Sequence, residues 1–143
     1  MYDMSVRSVM RKQRLLKVQP DAIIGSLAEQ MARKNVGAAL VVDGDRLIGI
    51  VSERDIVFRV VARGLDVQAT RAVDVMTAAP HTIEPDKRFG YALLVMYEKG
   101  FRHLPVVEND KLIGIISARS ALDPDLEEFR FEEERRKHLS KAG

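Results

Sequence analysis

The chain contains one internal duplication, and this feature constrains its fold more than any other. Residues 41–52 read VVDGDRLIGIVS and residues 106–117 read VVENDKLIGIIS, so eight of the twelve positions are identical. The same offset of 65 residues pairs Pro20 with Pro85. Because the offset is constant over so long a span, it indicates two copies of one supersecondary unit.

Each copy predicts the same order of elements, β-α-β-β-α. An extended segment ends at a Pro, and a helix capped by Asp21 or Asp86 follows. Apolar residues recur along this helix at i, i+3 and i+4. The apolar face consists of Ile23, Ile24, Leu27, Ala28 and Met31 in copy one and of Phe89, Ala92, Leu93, Met96 and Tyr97 in copy two. Two apolar strands come next, joined by a turn in which Gly44 or Asn109 suits left-handed geometry. A second helix ends the copy.

These elements predict an α+β fold in which two tandem repeats pack together with pseudo-twofold symmetry. The expected boundaries are 6–64 for repeat one, 65–72 for a linker, 73–122 for repeat two and 123–143 for a charged C-terminal helix or tail. A half of about 55 residues buries too little apolar surface to be stable alone, so we expect a shared core. The pseudo-symmetry then creates two related clefts between the halves, where ligands commonly bind.

Composition narrows the class of protein. The 143 residues include 23 Lys and Arg, 21 Asp and Glu, and no Cys. No apolar run approaches the roughly 20 residues that a membrane-spanning helix needs, and the N-terminus lacks the apolar region of a signal peptide. We therefore expect a cytoplasmic protein without disulfides and without a membrane partner. The basic residues near the N-terminus are best interpreted as a solvated arm, and a nucleic-acid partner is not expected.

The order of elements resembles the CBS domain pair (Bateman module). The resemblance rests on two motifs. One is Gly49, Ser52 and Asp55, spaced as G-x-x-S-x-x-D at the end of the first hairpin, and the other is RHLPVV at 102–107. It covers residues 6–122 and is especially close to stand-alone bacterial members. It implies a regulatory module that binds AMP, ADP, ATP or NAD(H) between the repeats, with S-adenosylmethionine a weaker candidate. It also implies a homodimer that acts in trans on an unknown effector protein.

Ser52 and Asp55 occupy the N-cap and N3 positions of the second helix of copy one, a relative of the capping box. The helix N-terminus also suits an anionic ligand. The resemblance implies a further role for both residues. In CBS pairs the Asp at this position holds the two ribose hydroxyls, and the Ser contacts the ribose or the phosphate.

The two clefts are expected to be unequal. Copy two has Ser120 where copy one has Asp55, and a single hydroxyl cannot hold a ribose diol as a carboxylate does. Copy one has Gly37 and Ala38 where copy two has basic residues. We therefore expect the Ser120 cleft to lack cations and to be weaker, differently selective or empty.

The resemblance also implies contacts for the phosphate and the base. Arg102, His103 and Arg119 match basic phosphate contacts of the family and are expected in the Asp55 cleft. Arg54, the copy-one counterpart of Arg119, is expected to point to the other cleft. The surface expected to bind adenine consists of Ile50, Pro80, His81 and Thr82.

The sequence does not predict an enzyme or a metal site. The three His residues are scattered, and the chain lacks phosphate-binding Gly-rich motifs and a nucleophile elbow. Two functions stay open, which are a ligand-responsive regulatory module and a constitutive dimeric scaffold without a ligand. The retention of Ser52, Asp55 and Arg102 together favours the regulatory module.

Overall fold

The computed structural model describes residues 2–122, and the tail predicted at 123–143 lies outside them. The first half contains α1 (Val6–Met10), β1 (Lys17–Val18), α2 (Ile24–Lys34), β2 (Ala38–Asp43), β3 (Arg46–Ser52), α3 (Glu53–Asp55) and a π-helix (Ile56–Val61). The second half contains α4 (Ala72–Val75), β4 (Thr77–Ala78), α5 (Phe89–Lys99), β5 (His103–Glu108), β6 (Lys111–Ser117) and a 3₁₀-helix (Ala118–Leu122). The predicted α+β class is confirmed. Within residues 2–122, no helix has the length and apolar character needed to cross a bilayer.

Strand pairing repeats between the halves. In the first sheet the order is β1-β2-β3-β4, with β1 parallel to β2 and β3 antiparallel to both β2 and β4, so β4 of the second half completes the sheet of the first. The hairpin β5-β6 repeats the register of β2-β3, because Ala38 pairs with Ser52 and His103 pairs with Ser117. A single parallel bridge at Ile83 takes the place of β1 in the second half. The two copies therefore share the same hairpin register as well as a similar sequence.

The turns of the two hairpins have the predicted backbone geometry. Gly44 has a φ of 65° and Asn109 a φ of 52°, the left-handed region that these two residue types tolerate best. Each turn is followed by the strand that leads to a cleft.

The Asp caps predicted for the long helices are wrong. Helix α2 begins after Ile23, which is extended, and Asp21 makes no cap hydrogen bond. The N–H of Ile24 instead donates to the carbonyl of Thr70 at 2.9 Å. Helix α5 begins in the same way after Arg88. Neighbouring backbone thus satisfies the free N–H groups of both helices, a solution that local sequence patterns do not reveal.

Helices α1 and α4 are exchanged between the halves. Helix α1 precedes copy one in the chain, yet Val6 and Val9 are fully buried in the core of copy two, against Phe89. Helix α4 precedes copy two, yet Ala72 and Val75 are buried in the core of copy one. The two halves are therefore linked by an exchange of short helices.

A third apolar cluster joins the two sheets and forms the predicted shared core. It consists of Ala38, Leu40, Val42, Leu112 and Ile115, all of them buried. Full burial of one such Leu stabilises the fold by about 1.5–3 kcal/mol. The two clefts described below therefore lie between halves that are held together by a packed interface.

Helix α5 buries a narrower face than its sequence predicts. Phe89 and Met96 are buried as expected, but Tyr97 is 85% exposed. Tyr91 and Leu94 are also exposed. Because α5 is apolar on more than one side, its periodicity did not show which side faces the core.

Candidate functional site

The first cleft is a cavity of about 620 Å³ between α3, the π-helix and the start of β5. Seven of the nine predicted site residues line it, namely Ile50, Ser52, Asp55, Pro80, His81, Arg102 and His103. The structure places Arg119 in the second cleft instead. Thr82 is exposed and is not part of the lining of the first cleft. The repeat thus brings together residues that are up to about fifty positions apart in the chain.

The two carboxylate oxygens of Asp55 have different partners. The N–H and the hydroxyl of Ser52 donate to Oδ2 at 2.9 and 3.1 Å, and the N–H of Asp55 donates to the Ser52 hydroxyl at 3.2 Å. This is the predicted capping box. The other oxygen, Oδ1, lies 3.6 Å from Nε of Arg59. A carboxylate has about four acceptor positions, so Oδ1 retains acceptor capacity that a hydroxyl of a ligand can use.

Arg59 is a cleft residue that the sequence analysis missed. Besides its contact with Asp55, its Nη1 donates to the carbonyls of Val75 and Met76 at 3.2 and 3.3 Å. Arg59 therefore connects the acidic residue of the cleft to the end of α4. The i,i+4 spacing from Asp55 was the available signal.

The π-helix carries Arg59 and was also not predicted. The N–H of Ala62 donates to the carbonyl of Val57 at 2.9 Å, which is an i to i−5 bond. Such wider turns are rare and frequently lie at functional sites. No feature of the apolar pattern distinguishes this segment from an α-helix.

Aromatic side chains form another part of the first cleft. The rings of His81 and Phe101 stack with centroids 5.5 Å apart. The guanidinium of Arg54 lies 4.4 Å from the centroid of Phe58. The expectation that Arg54 points to the other cleft is therefore wrong, because its side chain lies over the ring of Phe58, on the π-helix that directly follows α3, and lines the first cleft.

Arg102 and His103 differ in their surroundings. Arg102 is exposed at the rim, whereas His103 is half-buried and lines both clefts. Burial lowers the pKa of His103, Glu53 partly opposes this effect, and Arg119 and Arg102 lower the pKa further. His103 is therefore a neutral imidazole at neutral pH.

The second cleft has a cavity of about 600 Å³, nearly the same size as the first. Its lining includes the basic residues Lys12, Arg14, Lys34 and Arg119. The expectation that this cleft lacks cations is therefore wrong. The loop after α1 and the end of α2 supply most of them, and the alignment of the two copies gave no indication that these segments reach the cleft.

Residues 2–122 hold no group of three or more His, Asp or Glu side chains that could bind a metal ion. The chemistry that both clefts offer consists of hydrogen bonds, cations and, in the first cleft, aromatic surface.

Comparison with known proteins places these features in a family. A sequence model of the CBS domain matches residues 6–62 and 72–125. The chain is 37% identical over 138 residues to the meiotically up-regulated gene 70 protein of Schizosaccharomyces pombe, and the alignment covers 89% of this chain. The chain spans 19% of that relative's length.

Two solved structures share the architecture. A protein with CBS domains from Burkholderia ambifaria is 32% identical, with a TM-score of 0.78 and coverage of 87% of this chain and 97% of that one. A CBS domain protein from Pyrobaculum aerophilum, solved in complex with AMP, is 26% identical, with a TM-score of 0.77 and coverage of 90% and 97%. Since both repeats match the family model and the fold agrees, this chain belongs to the CBS domain family and contains a pair of CBS domains.

Proposed function

We propose that this protein is a regulatory module without catalytic activity that binds an adenine nucleotide in the first cleft. The candidates are AMP, ADP, ATP and NAD(H), and S-adenosylmethionine fits less well because it has no phosphate for the arginines. The observation that carries the proposal is a carboxylate, Asp55, that shares one cleft with exposed cations and stacked rings. The related protein from Pyrobaculum aerophilum, complexed with AMP, supports the same class of ligand.

Each part of a nucleotide has a matching group in this cleft. Oδ1 of Asp55 accepts hydrogen bonds from the ribose diol, while Oδ2 stays bound to Ser52. Arg102, at the exposed rim, and Arg54 supply positive charge for the phosphate. Ile50, together with Pro80 and His81, offers apolar and aromatic surface for the base. Thr82 is a weaker candidate because it lies outside the lining.

The ligand would connect the two halves of the module. Asp55 and Arg54 belong to the first half, whereas Arg102 belongs to the second. A bound nucleotide therefore favours the arrangement of the halves in which both sets reach it. Such a ligand shifts the equilibrium between two arrangements only by its difference in affinity for them.

The module is further proposed to act as a homodimer on an effector protein. Six large apolar residues are each more than half exposed on two helices, the π-helix, which lines the first cleft, and α5, which ends at Lys99 just before the lining residue Gly100. They are Val57, Phe58 and Val61 on the π-helix and Tyr91, Leu94 and Tyr97 on α5. A second copy of the chain presents the same surface, so a twofold axis would bury both sets at once. The alternative function, a constitutive dimeric scaffold, uses this surface without a ligand.

Calorimetric titration with AMP, ADP, ATP, NAD, NADH and S-adenosylmethionine tests the proposal. One nucleotide is expected to bind once per chain, and Asp55→Asn is expected to weaken it at least about tenfold, because a charged acceptor is lost. The amide oxygen of Asn can still accept from Ser52, so the helix cap is largely kept.

Asp74→Asn is the matched control. Asp74 accepts from the N–H of Arg71 at the start of α4, at 2.9 Å, and does not line the first cleft. Affinity should be unchanged in this variant. If no nucleotide binds to the folded protein, the scaffold becomes the better explanation.

A further inference from the structure

The second cleft is a basic cavity with an unusual balance of charge. Lys12, Arg14, Lys34 and Arg119 all line it, and its described lining contains no Asp or Glu. Nη1 of Arg14 donates to the carbonyl of Lys34 at 3.1 Å, which holds the loop after α1 against the end of α2. Two separate segments are thus fixed so that their cations converge. A concave site that carries one sign of charge attracts and concentrates ions of the opposite sign.

The buried hydroxyl of Ser120 also indicates a ligand in this cleft. It is only 2% exposed, it lines this cleft, and its hydroxyl has no hydrogen-bond partner within residues 2–122. Buried hydroxyls in folded proteins are nearly always hydrogen-bonded. An anion in the cleft would accept the missing hydrogen bond.

The groups that suit a nucleoside in the first cleft are replaced in the second. At the offset of 65 residues, Ser120 replaces Asp55, Val36 replaces Phe101, Lys12 replaces Thr77 and Arg14 replaces Ala79. The described lining of the second cleft therefore has neither a carboxylate for a ribose diol nor a Phe, Tyr or Trp for a base. It has gained cations at the same positions.

We propose that the second cleft binds a multiply charged phosphate anion through its phosphate groups alone, without holding a nucleoside. This site is independent of the nucleotide proposed for the first cleft. Free polyphosphate and the phosphate chain of a nucleotide present the same oxygens, so the experiment compares both. A cavity of about 600 Å³ has room for a chain of several phosphate groups.

Calorimetric titration with inorganic tripolyphosphate at low ionic strength tests the cations of the cleft. Lys34→Gln and Arg119→Gln should each weaken binding about tenfold, since each removes a charged hydrogen-bond donor. Arg33→Gln is the matched control, because Arg33 precedes Lys34 on α2 and carries the same charge, but is exposed and does not line the cleft. Its affinity should stay within about twofold. Equal losses in all three variants, or no binding to the wild-type protein, would overturn the proposal.

Two further arms separate this cleft from the first and test the role of the hydroxyl. In an Asp55→Asn background, tripolyphosphate should bind as it does to the wild-type protein, and ATP should bind no more tightly than tripolyphosphate. Tighter binding of ATP that Lys34→Gln also weakens would show that a nucleoside is held in the second cleft and would overturn the proposal. Ser120→Ala should weaken tripolyphosphate several-fold while its unfolding midpoint stays at or above that of the wild type. Unchanged affinity in this variant would refute the role of the hydroxyl.

Discussion

At the scale of single residues, His103 connects the two clefts. It lines both of them, and a Cβ atom on Gly37 would lie 2.8 Å from its Nε2 and would also contact Glu53. The absence of a side chain at Gly37 therefore lets an imidazole and a carboxylate approach each other in the wall between the sites. A change of charge on His103 would be felt by ligands on either side, since Arg102 and Arg119 also act on it.

The lowered pKa of His103 predicts how the stability of the folded protein depends on pH. Burial lowers this pKa below its ordinary value of 6.5, so the unfolded chain binds the proton more readily than the folded protein does. His103 therefore costs no stability above about pH 6.5, and stability is lost as the pH falls below that value. The slope from this single proton is at most about 1.4 kcal/mol per pH unit.

Denaturant unfolding as a function of pH measures this effect. His103→Gln should reduce the loss of stability on acidification from about pH 7 to pH 5. His81→Gln is the control, because His81 is exposed and its replacement should leave the curve nearly unchanged. If both variants follow the wild-type curve, the burial of His103 does not contribute to the pH dependence.

At the scale of elements, the exchange of α1 and α4 determines what surrounds each cleft. Since α1 packs on copy two, the loop that follows it carries Lys12 and Arg14 to the second cleft. Since α4 packs on copy one, the segment after it carries Pro80 and His81 to the first. The difference in ligand chemistry between the clefts thus follows from two connecting segments as much as from the repeats.

This exchange predicts that α1 contributes to the core of the whole module. Val9→Ala should lower the free energy of unfolding by about 2 kcal/mol, because two buried methyl groups are lost and a cavity remains. Val73→Ala on α4 is the matched control, since Val73 is exposed and should cost less than about 0.5 kcal/mol. Urea unfolding provides the comparison. An equally small effect of Val9→Ala would mean that α1 is not docked in solution.

At the scale of the whole molecule, the proposed dimer gives a function to the exposed face of α5 and the π-helix. Single exposed apolar residues are normal on protein surfaces, but clustered ones mark interaction sites. Because the π-helix also lines the first cleft, a second copy docked on it would sense any change that a ligand makes in that cleft.

Light scattering after gel filtration tests this surface. The wild-type protein should have twice the mass of the chain, and Tyr97→Lys combined with Val61→Lys should reduce it to a single chain, because two desolvated charges would face each other across the axis. Val73→Lys, on an exposed position of α4, should remain dimeric. A wild-type protein that elutes as a single chain would contradict the dimer.

The sequence alone determined the features that depend on short-range interactions. The duplication, the hairpins with Gly44 and Asn109 at their turns, and the capping box of Ser52 and Asp55 could all be predicted. Each depends on backbone preferences or hydrogen bonds among residues a few positions apart. The CBS-pair resemblance then identified seven residues that share the first cleft.

Only the tertiary structure decided which distant segments meet. It placed Arg54 in the first cleft with Asp55 and Arg119 in the second cleft with Ser120, and it brought Lys34 to the second cleft. It also showed that the carbonyl of Thr70, rather than the side chain of Asp21, accepts from the first N–H of α2. These outcomes depend on how α1, α4 and the two sheets pack. Packing is a balance of burial over many residues from distant parts of the chain, and a periodic pattern within one segment carries no information about it.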